Sequence, residues 1–99
     1  MATSKARIPK QFQLMGHVIS VNRVPKSQWQ VKDALAFFDP SNMQISICNG
    51  ISGTALEHIF WHEATHAMLY VMGHDLYANE QFVDTFSGLV HQIITTAEG

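Results

Sequence analysis

The chain has 99 residues, of which 46% are hydrophobic and 14% charged. That composition supports one modest core and argues against both a disordered chain and a second domain. A formal charge of -2 offers none of the basic footprint expected of a nucleic-acid binder or of a protein held on an anionic membrane.

All six basic residues precede position 33, and all eight acidic ones lie from Asp33 onward. The basic ones are spread singly among Pro, Gln and Ser, which reads as a solvated face rather than a binding groove. Residues 1–11 are polar with an early Pro9 and read as a flexible tail or a short edge segment, leaving 12–99 as a single domain. No apolar h-region follows the first charges and no segment has the apolar length of a membrane span. Cys48 is the only cysteine, so no intramolecular disulfide can form and a soluble, cytoplasmic chain is expected.

His17 to Val24 is β-rich with partial alternation and stops at Pro25. Ala34–Phe38 and Met43–Cys48 are short apolar runs joined by Asp39-Pro40-Ser41-Asn42, a tetrapeptide with turn chemistry. Together they predict a half-buried hairpin, with Cys48 as a small core residue. Asn49 to Gly53 breaks the pattern. Thr54-Ala55-Leu56-Glu57 matches a capping box, and no Gly or Pro interrupts Leu56 to Met72, so a helix is predicted there. A second helix is predicted from Asn79 or Glu80 to about Thr95, with Phe82, Val83, Phe86, Leu89, Val90, Ile93 and Ile94 inward. Within it, Gly88 costs helix stability, for which a close helix approach is a reason. Strands first and helices after predict an α+β fold: a small antiparallel three-stranded sheet followed by two packed helices.

The first helix carries His62-Glu63-Ala64-Thr65-His66. Residues four apart share a helix face, so the two imidazoles can converge on one metal ion. Glu63 points about a quarter-turn aside, where its carboxylate can take a proton from a water without ligating. HExxH on a helix is thus a mechanism as well as a pattern. A catalytic zinc takes three protein ligands and keeps one open position. Leu69 and Met72 stand where a metzincin would have Gly and His. The remaining candidates are acidic: Glu80 as third ligand, with Asp84 one turn on accepting the free N–H of a ligating histidine and fixing its tautomer. Exchanged roles for Glu80 and Asp84 are the alternative. Tyr77 and His74 are loop candidates for donating a hydrogen bond to a developing oxyanion. Tyr70 reads as packing, His58 as a neighbour of the site without a ligand role, and His91 as too far along its helix to share the ion. Trp61 is expected to pack on the sheet and shield the site.

His62-Glu63-x-x-His66 with Glu80-x-x-x-Asp84 resembles the gluzincin arrangement of thermolysin-like peptidases. More closely, Glu80-Gln81-Phe82-Val83-Asp84-Thr85-Phe86-Ser87 resembles the downstream helix of ImmA/IrrE-type metallopeptidases of bacteria and phages. Ala36–Pro40 and Met43–Ile47 are similar to the hairpin that precedes the metal helix in small phage proteins of that kind. The resemblance implies a minimal zincin-like fold, one Zn2+ on His62, His66 and Glu80, and Glu63 as general base. It also implies a zinc metallopeptidase acting on a protein or peptide, often a regulator, in the cytoplasm of a bacterium or of a phage's bacterial host. Two other functions compete with it: a zinc-containing binding or regulatory module without catalysis, and a zinc hydrolase of a non-peptide amide. An extended peptide would lie beside an edge strand, for which chain order nominates Met43–Cys48.

Overall fold

Four stretches of alternating or fully apolar sequence pair into one sheet. In the computed structural model, which describes residues 8–99, they are β1 (Gln11–Leu14), β2 (His17–Val24), β3 (Ala36–Asp39) and β4 (Gln44–Cys48). Two helices follow, α1 (Gly53–Met72) and α2 (Glu80–Thr96). The α+β class is as predicted, but the sheet is four-stranded and mixed, in the order β1-β2-β4-β3. β1 with β2, and β3 with β4, are antiparallel, whereas β2 and β4 run parallel.

Strand β1, at the sheet edge where the sequence offered a tail or a short edge segment, follows from local chemistry. Met15 and Gly16 both adopt positive φ, 50° and 84°, the signature of a two-residue turn whose twist matches a hairpin. Gln11 pairs with Ser20, and the Lys10 carbonyl accepts the Val21 N–H at 2.9 Å. The predicted tail therefore ends sooner than residue 11. Its portion from Met1 to Arg7 lies outside the described residues.

The β3–β4 turn forms as its residue types require: Asp39 accepts hydrogen bonds from the Ser41 N–H at 2.9 Å and the Asn42 side-chain amide at 2.8 Å. The strand after it, β4, is buried from Ile45 to Cys48, because it slots between β2 and β3 rather than lying at an edge. The nomination of Met43–Cys48 as the edge is thereby overturned. The edge beside the helices is β3.

Ile19, Val21, Phe38, Ile45 and Ile47 from the sheet meet Leu56, Phe60, Ala64 and Ala67 from α1 in the core. The predicted capping box does not form. The residue capping α1 is Ser52, without a side-chain hydrogen bond, and Glu57 is drawn to His91 of α2 at 3.0 Å. Gly73 ends α1 in the left-handed region, its N–H turned back on the carbonyls of Leu69 and Tyr70, as an αL cap does. No helix among the described residues is long and apolar enough to cross a membrane.

The face that α2 turns to α1 differs from the predicted one. Val83 and Ser87 are fully buried, while Phe86, Leu89, Ile93 and Ile94 are exposed. At about 100° per residue, Glu80, Asp84, Ser87 and His91 share one stripe. Phe82, Phe86, Leu89 and Ile93 share the opposite one. The polar contacts to α1 (Glu80 and Asp84 to His62, His91 to Glu57) select the first stripe.

Candidate metal centre

The inward residues of α1 set the orientation of the rest. With Phe60, Ala64 and Ala67 on the core, the helical repeat turns His62 and His66 toward α2. A 3-10 turn at Asp75–Ala78 brings the chain back, capped by His74, whose Nδ1 accepts the Leu76 N–H at 3.0 Å. Asn79 then caps α2 by accepting the Phe82 N–H at 2.9 Å. Glu80, the first residue of α2, lands opposite both histidines.

Its two carboxylate oxygens divide between them. His62 Nε2 is 3.1 Å from Oε1 and His66 Nε2 is 3.2 Å from Oε2. One ligand atom from each of the three residues falls within a 4.8 Å span. The far nitrogens of both rings are also engaged. His66 Nδ1 lies 2.8 Å from the Tyr77 carbonyl oxygen, which only accepts, so Nδ1 carries the proton and Nε2 presents its lone pair to Glu80. Two acceptors then face each other across 3.2 Å, an arrangement relieved by a shared cation or by a second proton on the ring. His62 Nδ1 lies 3.4 Å from Asp84 Oδ1. Two imidazoles and a carboxylate, with each ring oriented through its other nitrogen, form a donor set that suits zinc. Asp84 touches His62 and, at 3.7 Å, His58; it is not part of the three-residue group.

Glu63 is only 8% exposed. Burial pushes its carboxyl above the ordinary carboxylate range and Glu80 adds to this, while His62, His66 and a hydrogen bond from the Phe38 amide pull the other way. That amide is available because of the ladder's alternation. The Cys48 N–H bonds the Leu35 carbonyl, and the pairing continues in register through Phe37–Ser46. The backbone polar groups of Ala36 and Phe38 therefore turn outward from the sheet.

Two hollows meet along this edge. One, of about 510 Å3, is lined by Phe37, Phe38, His62, Glu63, His66, Tyr77 and Glu80 among others. The second, of about 500 Å3, continues past Ala36 to Leu35, His58, Ile59 and Asp84. Together they make a groove that runs along β3 and passes over Glu63.

Tyr77 lines the groove, and burial with the neighbouring Tyr70, Glu63 and Asp39 raises its hydroxyl above the ordinary tyrosine value, keeping it a donor. His74 does not line the groove; its ring is taken by the cap of the 3-10 turn. Trp61 packs beside Phe60, with ring centroids 5.2 Å apart, and lines a separate apolar hollow with Phe12 and Met68. It does not shield the histidines. Sequence reasoning had no means to find the Tyr77 carbonyl or the Phe38 amide, since backbone groups carry no residue signature.

No protein-family model, curated protein or solved structure matches the chain.

Proposed function

We propose that the chain is a zinc-dependent metallohydrolase, a peptidase, with His62, His66 and Glu80 as the metal ligands and Glu63 as the general base. The observation that carries this reading is the division of the Glu80 carboxylate between the two imidazoles, at 3.1 and 3.2 Å. Zinc in such a site supplies a Lewis acid that lowers the pKa of a water and polarises a carbonyl.

The chain's own groups do the rest. Glu63, beside the histidines in a mostly desolvated position, takes a proton from the attacking water as its oxygen bonds to the scissile carbonyl carbon. When the C–N bond breaks, Glu63 returns that proton to the departing amine. The Tyr77 hydroxyl, held protonated, donates a hydrogen bond to the oxygen on which negative charge builds. The Tyr77 carbonyl and the Asp84 carboxylate hold the rings of His66 and His62 in their tautomers. A peptide substrate fits the groove because β3 turns backbone donors and acceptors toward it, so an extended chain can add to the sheet there. The edge strand for this purpose is Ala36–Asp39. A single buried cysteine, Cys48, is in keeping with work in a reducing cytoplasm.

The test is metal content by elemental mass spectrometry, with hydrolysis of a peptide library read in parallel. Wild type is expected to hold one zinc per chain, Glu80→Ala none, and Asp84→Ala most of it. Glu63→Gln is expected to keep zinc and lose hydrolysis by several orders of magnitude. A chain that takes up no zinc in any form refutes the reading. Loss of zinc only with Asp84→Ala exchanges the roles of the two carboxylates.

A further inference from the structure

The carboxylates along the groove are not equally engaged. Glu63 is held by the Phe38 amide, Glu80 faces both histidines, and Asp84 lies against His62 and His58. Asp33 lines both hollows, yet among the described residues it has no hydrogen-bond or ion-pair partner. No Lys or Arg follows Lys32 in the chain, so β3, α1 and α2 bring no cation to it. Its place is nevertheless fixed. The Trp29 indole N–H donates to the Ala34 carbonyl at 2.9 Å, and the Trp29 ring packs on Phe37 with centroids 5.7 Å apart. The loop that carries Asp33 is thereby closed on itself and anchored to β3. A free carboxylate on an anchored loop is preorganised for a cation that arrives with a ligand.

The second hollow supplies the rest of what such a ligand needs. The first hollow contains all three residues of the metal group and Tyr77, so the scissile bond belongs there and a flanking side chain falls into the second. That second space, of about 500 Å3, combines apolar Leu35 and Ile59 with the carboxylates of Asp33 and Asp84. Leu35 is 54% exposed, an apolar surface still to be covered. An apolar stem that ends in a cation, as in lysine and arginine, covers such a surface and keeps its head among polar groups. An aliphatic side chain would cover Leu35 but strip water from Asp33 without replacing it. An acidic one would meet Asp33 as a like charge. Lys32 lines the same hollow without an ion pair among the described residues; it weakens the attraction, one base against two acids, and does not cancel it.

We propose that Asp33 and the second hollow form the subsite that selects the substrate, taking a lysine or arginine side chain beside the scissile bond, its head on Asp33 and its stem on Leu35 and Ile59. The substrate class rests on the peptidase reading, whereas the subsite's preference for a cation does not require that a bond be cut.

The probes are three alanine-rich peptides that differ at one central residue: lysine, norleucine, which has the same stem without the ammonium, and glutamate. Cleavage by zinc-loaded protein is mapped by mass spectrometry and kcat/KM is measured for each peptide. Binding of the same peptides to zinc-loaded Glu63→Gln, with and without Asp33→Asn, is measured by titration calorimetry. Wild type is expected to cut beside the lysine and to favour that peptide over norleucine by about tenfold, a preference that falls as salt rises. Asp33→Asn is expected to bring the ratio near one, Lys32→Ala to widen it about threefold, and Asp33→Lys to turn the preference to glutamate. Zinc content, equal in all of these, checks that the metal group is intact. Equal cleavage of the lysine and norleucine peptides, or a lysine preference that survives Asp33→Asn, overturns the proposal and leaves the peptidase reading standing. Binding that favours lysine through Asp33, with no peptide cut by wild type, upholds the subsite and overturns the peptidase reading. Neither cleavage nor binding of any peptide overturns both.

Discussion

His66 illustrates how a single residue acquires its chemical state. Its position in HExxH says that it faces the same way as His62, and nothing in that pattern says which nitrogen is free. The Tyr77 carbonyl, 2.8 Å away, decides it by accepting Nδ1–H and leaving Nε2 for Glu80. Glu63 depends on context in a different sense. Its carboxyl is raised by burial, so the ionised form is disfavoured in the fold relative to the unfolded chain. That cost is absent below the ordinary value of 4.5 and grows as pH rises through the folded value. Glu63→Gln keeps an acceptor for the Phe38 amide and removes the charge. In metal-free protein the variant is therefore expected to melt above wild type at pH 7, with the difference vanishing below about pH 4.5. Thermal scans across that range check it, and a variant less stable at every pH refutes the account.

At the level of elements, β3 and α2 each do two things. β3 closes the sheet through Phe37 and Asp39. It offers the Ala36 amide and the carbonyls of Ala36 and Phe38 to the groove, the Phe38 amide being held by Glu63. Proline is tolerated on an edge strand where its missing N–H faces away from the ladder. Ala36→Pro is accordingly expected to fold and keep zinc, while raising KM for a peptide about tenfold through one lost backbone hydrogen bond. Unchanged KM would mean that substrate does not pair with this edge. Gly88 of α2 was expected to mark a close helix approach, and a Cβ there would meet His58 Cε1 at 3.6 Å. That is ordinary contact, so Gly88→Ala is expected to raise stability by roughly 0.5–1 kcal/mol without changing zinc content. Urea unfolding of both forms measures the difference.

The whole molecule is held by one core on one face of the sheet, and α2 adds only Val83 and Ser87 as buried residues. Much of what fixes α2 in place is polar: Asp84 with His62, His91 with Glu57, and Glu80 with two histidines once a cation or a second proton on His66 lies between them. A metal bound between the helices therefore stabilises the fold as a whole and not merely the site. With free zinc at a hundred times its dissociation constant, linkage predicts about 2.7 kcal/mol. In a domain of this size that corresponds to a fall in Tm of about 10–20 °C on adding a chelator. A Tm that does not respond to chelation is incompatible with a metal that ties α2 to α1.

Much of the candidate site could be read along the chain, because HExxH and the acids one turn apart on α2 are local: helical geometry alone sets which side chains lie together. The α+β class, the Asp39 turn and the Gly73 cap are local in the same sense. Three features needed the fold. The place of β4 in the sheet depends on which strand its neighbours leave room for, and alternation within β4 cannot report that. The rotation of α2 went against its strongest hydrophobic stripe, because the carboxylates at Glu80 and Asp84 and the His91–Glu57 pair turn its polar side inward. Finally, the tautomer of His66 and the amide that reaches Glu63 come from backbone groups of Tyr77 and Phe38. Every residue type has such groups, so only the path of the chain through space could put them there.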